Sequence, residues 1–313
     1  MSGPLVALAG ASGDLGARIR DALLARGAAV RALVRHDASP HERDALIASG
    51  ATVAPAHITD VASVAAACRG ASCVVSALNG LRDVIVDRQS VLLDAAVAAG
   101  VPRFIPSDYA ADFTKTRPGD NRNFDLRREF MARADRAPLA VTSILNGAFM
   151  DMLGAQMPTI QPRIRRVLYW SDADQLLDFT AKDDVAQYVA AAALDETTPR
   201  ILRIAGDSVT TRQLAAAMTA VTGERYRPLW AGSLGSLGLT IRLAQLVAPQ
   251  PRVTFPPWQG MQYMRDMFSG RARLQPLDND RYPDLRWTSV RERLEARFAP
   301  TSRARDAEVG IAP

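Results

Sequence analysis

Seven residues near the start of the chain, Gly10-Ala11-Ser12-Gly13-Asp14-Leu15-Gly16, constrain what it can fold into more than any others. They follow the apolar run Leu5-Val6-Ala7-Leu8-Ala9. They precede a segment whose Leu15, Ile19, Leu23 and Leu24 fall on one helical face before Gly27. Strand, glycine turn and helix together form the unit that binds a dinucleotide. The glycines let the backbone approach the pyrophosphate and the helix pack on the strand, while the helix N-terminus offers free N–H groups to the phosphates. The spacing is GxxGxxG, a variant of the usual GxGxxG. Gly10, Ser12, Gly13, Asp14, Leu15 and Gly16 are the expected phosphate seat.

Strand and helix patterns alternate from here to about residue 145, with glycines 27, 50, 70 and 100 as stops. Strands are expected at 52–54, 73–77, 103–105 and 139–145, and helices at 40–49, after Asp60 and over 84–99. This alternation predicts an α/β fold, a doubly wound parallel Rossmann sheet. Ligands in such sheets sit beyond the carboxyl ends of the strands, so Arg35, His36, Ser76, Ala77, Leu78, Pro106, Ser107 and Asn146 join the expected cofactor set. The remainder reads as a smaller, mostly helical substrate lobe. The division is 1–150 plus 181–206 for the nucleotide-binding domain and 151–180 plus 207–298 for the lobe, with a disordered tail at 299–313. The stretch Gly232 to Gly238 reads as a flexible pocket edge.

The second strand ends in Arg35-His36-Asp37. NAD-specific sites carry an acid here for the ribose 2′-hydroxyl, whereas an arginine can fork onto a 2′-phosphate. Arg35 comes first, which favours NADP(H) over NAD(H). Asp37 takes the ribose role if the strand runs longer.

With 48 % hydrophobic residues the chain can bury a sizeable core. Its net charge of +5 is scattered among acids, as in Arg291-Glu292-Arg293, which argues against nucleic acid as a partner. The best membrane candidate, Leu234 to Val247, is short and contains Arg242. A signal sequence is not expected, because the first residues already form the phosphate-binding strand. Cys68 and Cys73 read as reduced core thiols, and three histidines without ligand spacing argue against a protein-built metal site. These features fit a soluble, cytoplasmic protein acting on a small molecule; they leave the oligomeric state open.

Several phrases carry a family resemblance. They are GASGDLG, Leu33-Val34-Arg35, Arg103-Phe104-Ile105-Pro106-Ser107-Asp108-Tyr109, Thr142-Ser143-Ile144-Leu145-Asn146-Gly147-Ala148-Phe149 and Phe179-Thr180-Ala181-Lys182-Asp183-Asp184-Val185-Ala186. Together they resemble the NmrA-like and isoflavone-reductase-like group of atypical short-chain dehydrogenases/reductases, over about the first two thirds of the chain. The resemblance implies an NADPH-dependent reductase that transfers hydride to a small aromatic or conjugated carbonyl-type substrate. An alternative is a non-catalytic NADP(H) sensor acting through a protein partner.

Two departures from that group bear on the chemistry. No YxxxK pair exists, since Tyr109 is followed four positions on by Phe113. Arg127 stands where isoflavone-reductase-like enzymes carry a helix lysine. Arginine does not donate a proton near neutral pH, but it can hold the nicotinamide ribose or stabilise an oxyanion. Tyr109 is the expected proton donor, with packing under the loop as its competing role. Lys115 either covers the nicotinamide or is a solvated loop lysine. Asn146 adds an amide near the pocket floor. Phe149, Met150, Leu153 and Trp258 either wall the substrate pocket or fill core.

Overall fold

The computed structural model describes residues 3–154 and 157–299. Its first strand, β1 (Leu5–Ala9), is apolar at every position because both its faces are covered. Val6 and Leu8 enter one core and Ala7 and Ala9 the other, the period-two alternation of a strand. There follow α1 (Asp14–Ala25), β2 (Ala29–Arg35), α2 (Pro40–Ala48), β3 (Thr52–Ala56), α3 (Val61–Cys68), β4 (Cys73–Ser76), α4 (Gln89–Ala98), β5 (Arg103–Ile105), α5 (Arg122–Ala134) and β6 (Ala140–Val141). Ser39 and Asp60 cap α2 and α3, accepting from the N–H groups of Glu42 and Ala62.

The six strands pair in parallel in the order β3-β2-β1-β4-β5-β6. Chain direction across the sheet reverses between β1 and β4, so a crevice opens beyond their carboxyl ends. α1 packs on α6 (Lys182–Leu194) over one face, and α3 packs on α4 over the other.

The expected strand 139–145 is divided. The Thr142 N–H bonds to Phe104 O at 2.9 Å, whereas the Ser143 N–H bonds to Arg200 O at 2.9 Å. The first half is therefore β6, on β5, and the second is β7 (Ser143–Leu145), which pairs in parallel with β12 (Ile201–Arg203). A single residue hands the strand from one neighbour to the next and carries Asn146 past the end of β5.

The C-terminal lobe contains α7 (Thr211–Thr222), α8 (Leu234–Val247), α9 (Pro257–Phe268) and α10 (Val290–Phe298). It also has more strand than expected. One small sheet joins β9 (Ile160–Gln161), β10 (Arg166–Tyr169) and β14 (Arg227–Trp230); another joins β8 (Ala148–Phe149), β11 (Leu177–Thr180) and β13 (Asp207–Val209). Strands of two to four residues are too short to leave a period-two signal in the sequence.

The glycine-rich stretch read as a flexible edge starts a helix instead. Ser233 accepts from the Ser236 N–H at 3.1 Å, and Gly235 and Gly238 lie inside α8. Burial of Leu237 and Ile241 outweighs their poor helix propensity. The tail beyond residue 299 lies outside the described residues.

Candidate active site at the strand ends

The turn after β1 is made of backbone. Gly10 has φ +81°, and a Cβ there would come within 2.8 Å of Ala77 O. A Cβ on Gly16 would lie 1.9 Å from Gly10 O, so only glycine lets α1 start this close to the turn. The Gly13 N–H closes the turn onto Gly10 O at 3.0 Å. Gly13 is the N-cap of α1 and supplies no side-chain acceptor, so first-turn N–H groups, including those of Asp14 and Leu15, face outward for an anion.

The Asp14 carboxylate would oppose that anion, but it is bound away by Lys182 and Arg18. The Lys182 hydrogen bond, then that of Arg18, holds its pKa below the usual carboxylate value. Asp14 thus offers its backbone, and its side chain belongs to the α1–α6 contact. An open groove of about 510 Å³ on this outer side is lined by Asp14, Asp21 and Asp183. Ser12, Gly13 and Arg18 line it as well.

Ser12 Oγ donates to Glu42 at 2.8 Å. Leu33 of β2 pairs with Ala9 of β1, so Arg35 runs on beside the turn. Its guanidinium is exposed and only 3.8 Å from the Asp37 carboxylate. His36 stacks on His57, with ring centroids 4.4 Å apart.

The other end of the crevice is made of side chains. Asn146 is fully buried. Its backbone is bonded to Ala110 O and Thr180 Oγ1, yet neither atom of its amide has a protein partner. The same holds for Ser76 Oγ at the end of β4, Asp108 Oδ1 beyond β5 and Arg127 Nε on α5. Orphaned buried polar atoms are uncommon. Ser76 ends β4, and Asp108 and Asn146 follow β5 and β7 within three residues.

Asp108 is fully buried, and Ser143 Oγ donates to it at 2.6 Å. Burial pushes its pKa up; the Ser143 hydrogen bond and the Arg127 and Arg200 charges pull it back. Arg127 is 8 % exposed, with one protein hydrogen bond, 3.3 Å to Asn123 O.

The frame around this end is braced by Gln89, which sequence reasoning missed, together with Ala77, Leu78 and Ser107 of the expected cofactor set. Gln89 of α4 is fully buried, and its Oε1 accepts from the Ser107 N–H at 2.7 Å. Ser107 Oγ donates to Leu78 O at 2.6 Å, and the Ala77 N–H to Ala9 O at 2.9 Å. These bonds lock the ends of β1, β4 and β5 together. The available signal was one glutamine on an otherwise apolar helix face.

Several expected roles meet a different environment. Tyr109 packs in the core between the sheet and α6, 6 % exposed, with no partner for its hydroxyl. Burial, then the Asp108 charge, drives its pKa far above the usual phenol value. This is the packing role, because the strand end turns the ring beneath the loop. Lys115 does not cover the crevice. Its Nζ donates to Arg273 O and Gln275 O at 3.1 and 3.0 Å and pairs with buried Asp112 at 3.2 Å.

Met150 and Leu153 are buried in the lobe core. Trp258 is 5 % exposed, its Nε1 donates to Ala248 O and Pro249 O, and the Arg122 guanidinium lies 4.6 Å from its ring centroid. These three side chains are core and brace. Phe149 remains half-buried, with Lys182 Nζ 5.8 Å from its ring centroid.

Residues 3–229 match the model of the NmrA-like family. The chain belongs to the NmrA-like family. Among curated relatives, pinoresinol reductase 2 of Arabidopsis thaliana is 29 % identical over 207 residues, covering 62 % of this chain and 65 % of that protein. The isoflavone reductase homolog IRL of Zea mays is 28 % identical over 238 residues, covering 71 % of this chain and 75 % of that protein. The match thus spans less than two thirds of the length of the pinoresinol reductase. The structure of AtPrR2 with NADP+ and (+)pinoresinol superposes with a TM-score of 0.78 at 22 % identity, covering 94 % of this chain and 99 % of that one. This NmrA-like chain therefore shares the fold of that structure over nearly its whole length, beyond the residues that the family model matches.

Proposed function

We propose that this protein is an NADP(H)-dependent reductase that transfers hydride to a carbonyl-type or conjugated group on a small aromatic substrate. The observation that carries the reading is the set of buried, unpartnered polar atoms of Ser76, Asp108, Arg127 and Asn146 at the strand ends. They follow the ends of β4, β5 and β7 or lie on α5, and Ser76 pairs with Ala9 beside the uncapped glycine turn. A nicotinamide dinucleotide fits both ends: phosphates on N–H groups, a polar head among groups lacking partners.

In this reading Gly10, Ser12, Gly13 and Gly16 seat the pyrophosphate, and Arg35 selects the 2′-phosphate. The bound nucleotide supplies the hydride. The Arg127 guanidinium steadies negative charge developing on the substrate oxygen. Asn146 and Ser76 orient the head group. The domain of residues 1–150 plus 181–206 holds the cofactor, and 151–180 plus 207–298 frame the substrate. The reductase names of the matching relatives support catalysis over the sensor alternative. Two free, buried cysteines suit a reducing cytoplasm.

The test is a calorimetric titration with NADPH, NADP+ and NADH in parallel, followed by NADPH oxidation with benzaldehyde, acetophenone and 1,4-benzoquinone. The expected result is NADPH binding well above NADH, and turnover with at least one carbonyl. Preference for the oxidised nucleotide with no turnover moves the sensor reading ahead.

A further inference from the structure

Reducing a carbonyl takes a proton as well as a hydride, and few side chains in this molecule can supply one at the strand ends. The histidines, His36, His41 and His57, all lie in the segment around α2 and β3. Lys182 is bound to Asp14, and Lys115 to Asp112 and two carbonyls. Tyr188 and Tyr282 donate to Asp278 O and Asp195 on the far side of α6. Tyr169 and Tyr226 pack in the lobe. Tyr109 is enclosed in the sheet core, and Asp108 is fully buried under Ser143.

Tyr263 of α9 is different. It packs on the small core formed by Ala110, Ala111, Phe124 and Leu145, directly beyond the ends of β5 and β7. Its ring meets Phe124 edge-on, with centroids 5.1 Å apart and planes at 74°. Phe124 is flanked on α5 by Asn123 and, one turn on, by Arg127. Asn123 and Arg127 are four residues apart and share one helix face. The Asn123 amide donates to Thr254 O and accepts from Arg122 Nε, both at 3.1 Å, and its pull on the phenol, like that of Arg127, is toward phenolate. Tyr263 is half-buried.

Resting on the reductase reading, we propose that Tyr263 is the proton donor, with Arg127 and Asn123 holding the phenolate left behind. The hydride adds to the substrate carbonyl carbon as its C=O π pair moves onto oxygen. The Tyr263 O–H then breaks, a new O–H forms on the substrate, and solvent returns the proton to Tyr263. The tyrosine and its cation come from separate helices, α9 and α5, instead of from one YxxxK turn. Burial pushes the phenol upward, while Arg127, Asn123 and Arg122 pull it back and Asp266 adds a small upward push. The net direction is upward from the usual phenol value, so the group is protonated at neutral pH.

Tyr263→Phe keeps the ring contact with Phe124 and removes only the hydroxyl. Two quantities are read: kcat for aryl carbonyl reduction, and the calorimetric Kd of 4-methoxybenzoate in the presence of NADP+. The benzoate places a stable oxyanion where the alkoxide forms. The expected result is a fall in kcat of about 100-fold or more, benzoate binding weakened about 10-fold or more, and NADPH affinity unchanged. Retention of kcat within threefold overturns the donor and leaves the reductase intact. Lost turnover with unchanged benzoate affinity also overturns it, because a donor in reach of the substrate oxygen must be felt by an oxyanion there. A wild-type protein that reduces no aryl carbonyl removes the reductase reading and the donor with it.

Discussion

The turn after β1 and the ends of β5 and β7 are built by opposite means. At the turn, glycine and free N–H groups form the surface, and the side chains of Ser12 and Asp14 are engaged elsewhere. At β5 and β7 the surface is side-chain matter: Asp108, Arg127, Asn146 and, from the lobe, Tyr263. A site of backbone tolerates no added atom, because any Cβ meets a main chain that cannot move. A site of side chains can exchange its chemistry while the strands beneath stay put. If Arg127 takes the place of the helix lysine that the family resemblance implies, it is such an exchange.

The comparison can be broken most sharply at Gly16. Gly16→Val drives a Cβ into Gly10 O; a loss of about 3 kcal/mol or more in stability is expected, with nucleotide binding abolished. A thermal melt and a calorimetric titration read both, and a variant that melts like wild type and binds NADPH removes the backbone account. Arg127→Met is next. It should lower kcat by about 100-fold while leaving NADPH affinity within threefold. A fall in affinity with kcat preserved would move Arg127 to the cofactor's side of the comparison.

Arg35→Ala sharpens the backbone end. NADPH binding should weaken by about 10- to 100-fold, the range of a charge-assisted contact, with NADH unaffected. Equal NADPH and NADH affinities in wild type would pass the ribose to Asp37.

The smallest effect lies behind the side-chain end. Asn121 accepts from the Phe124 N–H as the cap of α5 and donates to Asp266 at 2.9 Å. Burial pushes the Asp266 pKa up to about 6, with Asn121 and Arg265 pulling it back. A carboxyl raised in the fold binds its proton more tightly folded than unfolded. Its stabilising share is therefore lost as pH rises from the unfolded value near 4 through 6, and is constant above. Asp266→Asn should remove that slope, an effect of about 2 kcal/mol, read from urea melts at pH 4 and pH 7.5. An unchanged difference between the two pH values would show that Asp266 ionises freely in the fold.

The same contrast explains what was legible beforehand. Glycine spacing and the end of β2 are local facts, so the turn and Arg35 could be read from seven residues and from one strand. Tyr109 could not be judged in this way. Its position after β5 suggests a donor, but whether the ring faces the crevice or the core depends on α6, about 75 residues later. Lys115 depended on the carbonyls of Arg273 and Gln275, supplied by the lobe. Tyr263 sat in a Met- and aromatic-rich stretch that reads equally well as pocket or packing, and only its seat against Phe124 separates the two. The divided strand 139–145 was hidden because β5 and β12 draw on successive residues of one apolar run.

By itself, the sequence determined the parallel sheet, the glycine turn after β1 and the arginine that ends β2, because strand alternation, glycine conformations and the charge ending a strand are properties of neighbours along the chain. Only the tertiary structure decided which of six tyrosines packs on Phe124 and which polar atoms at the strand ends are left without partners. Those outcomes depend on helices far apart in sequence closing over the same few ångströms of crevice, where burial and charge act through space.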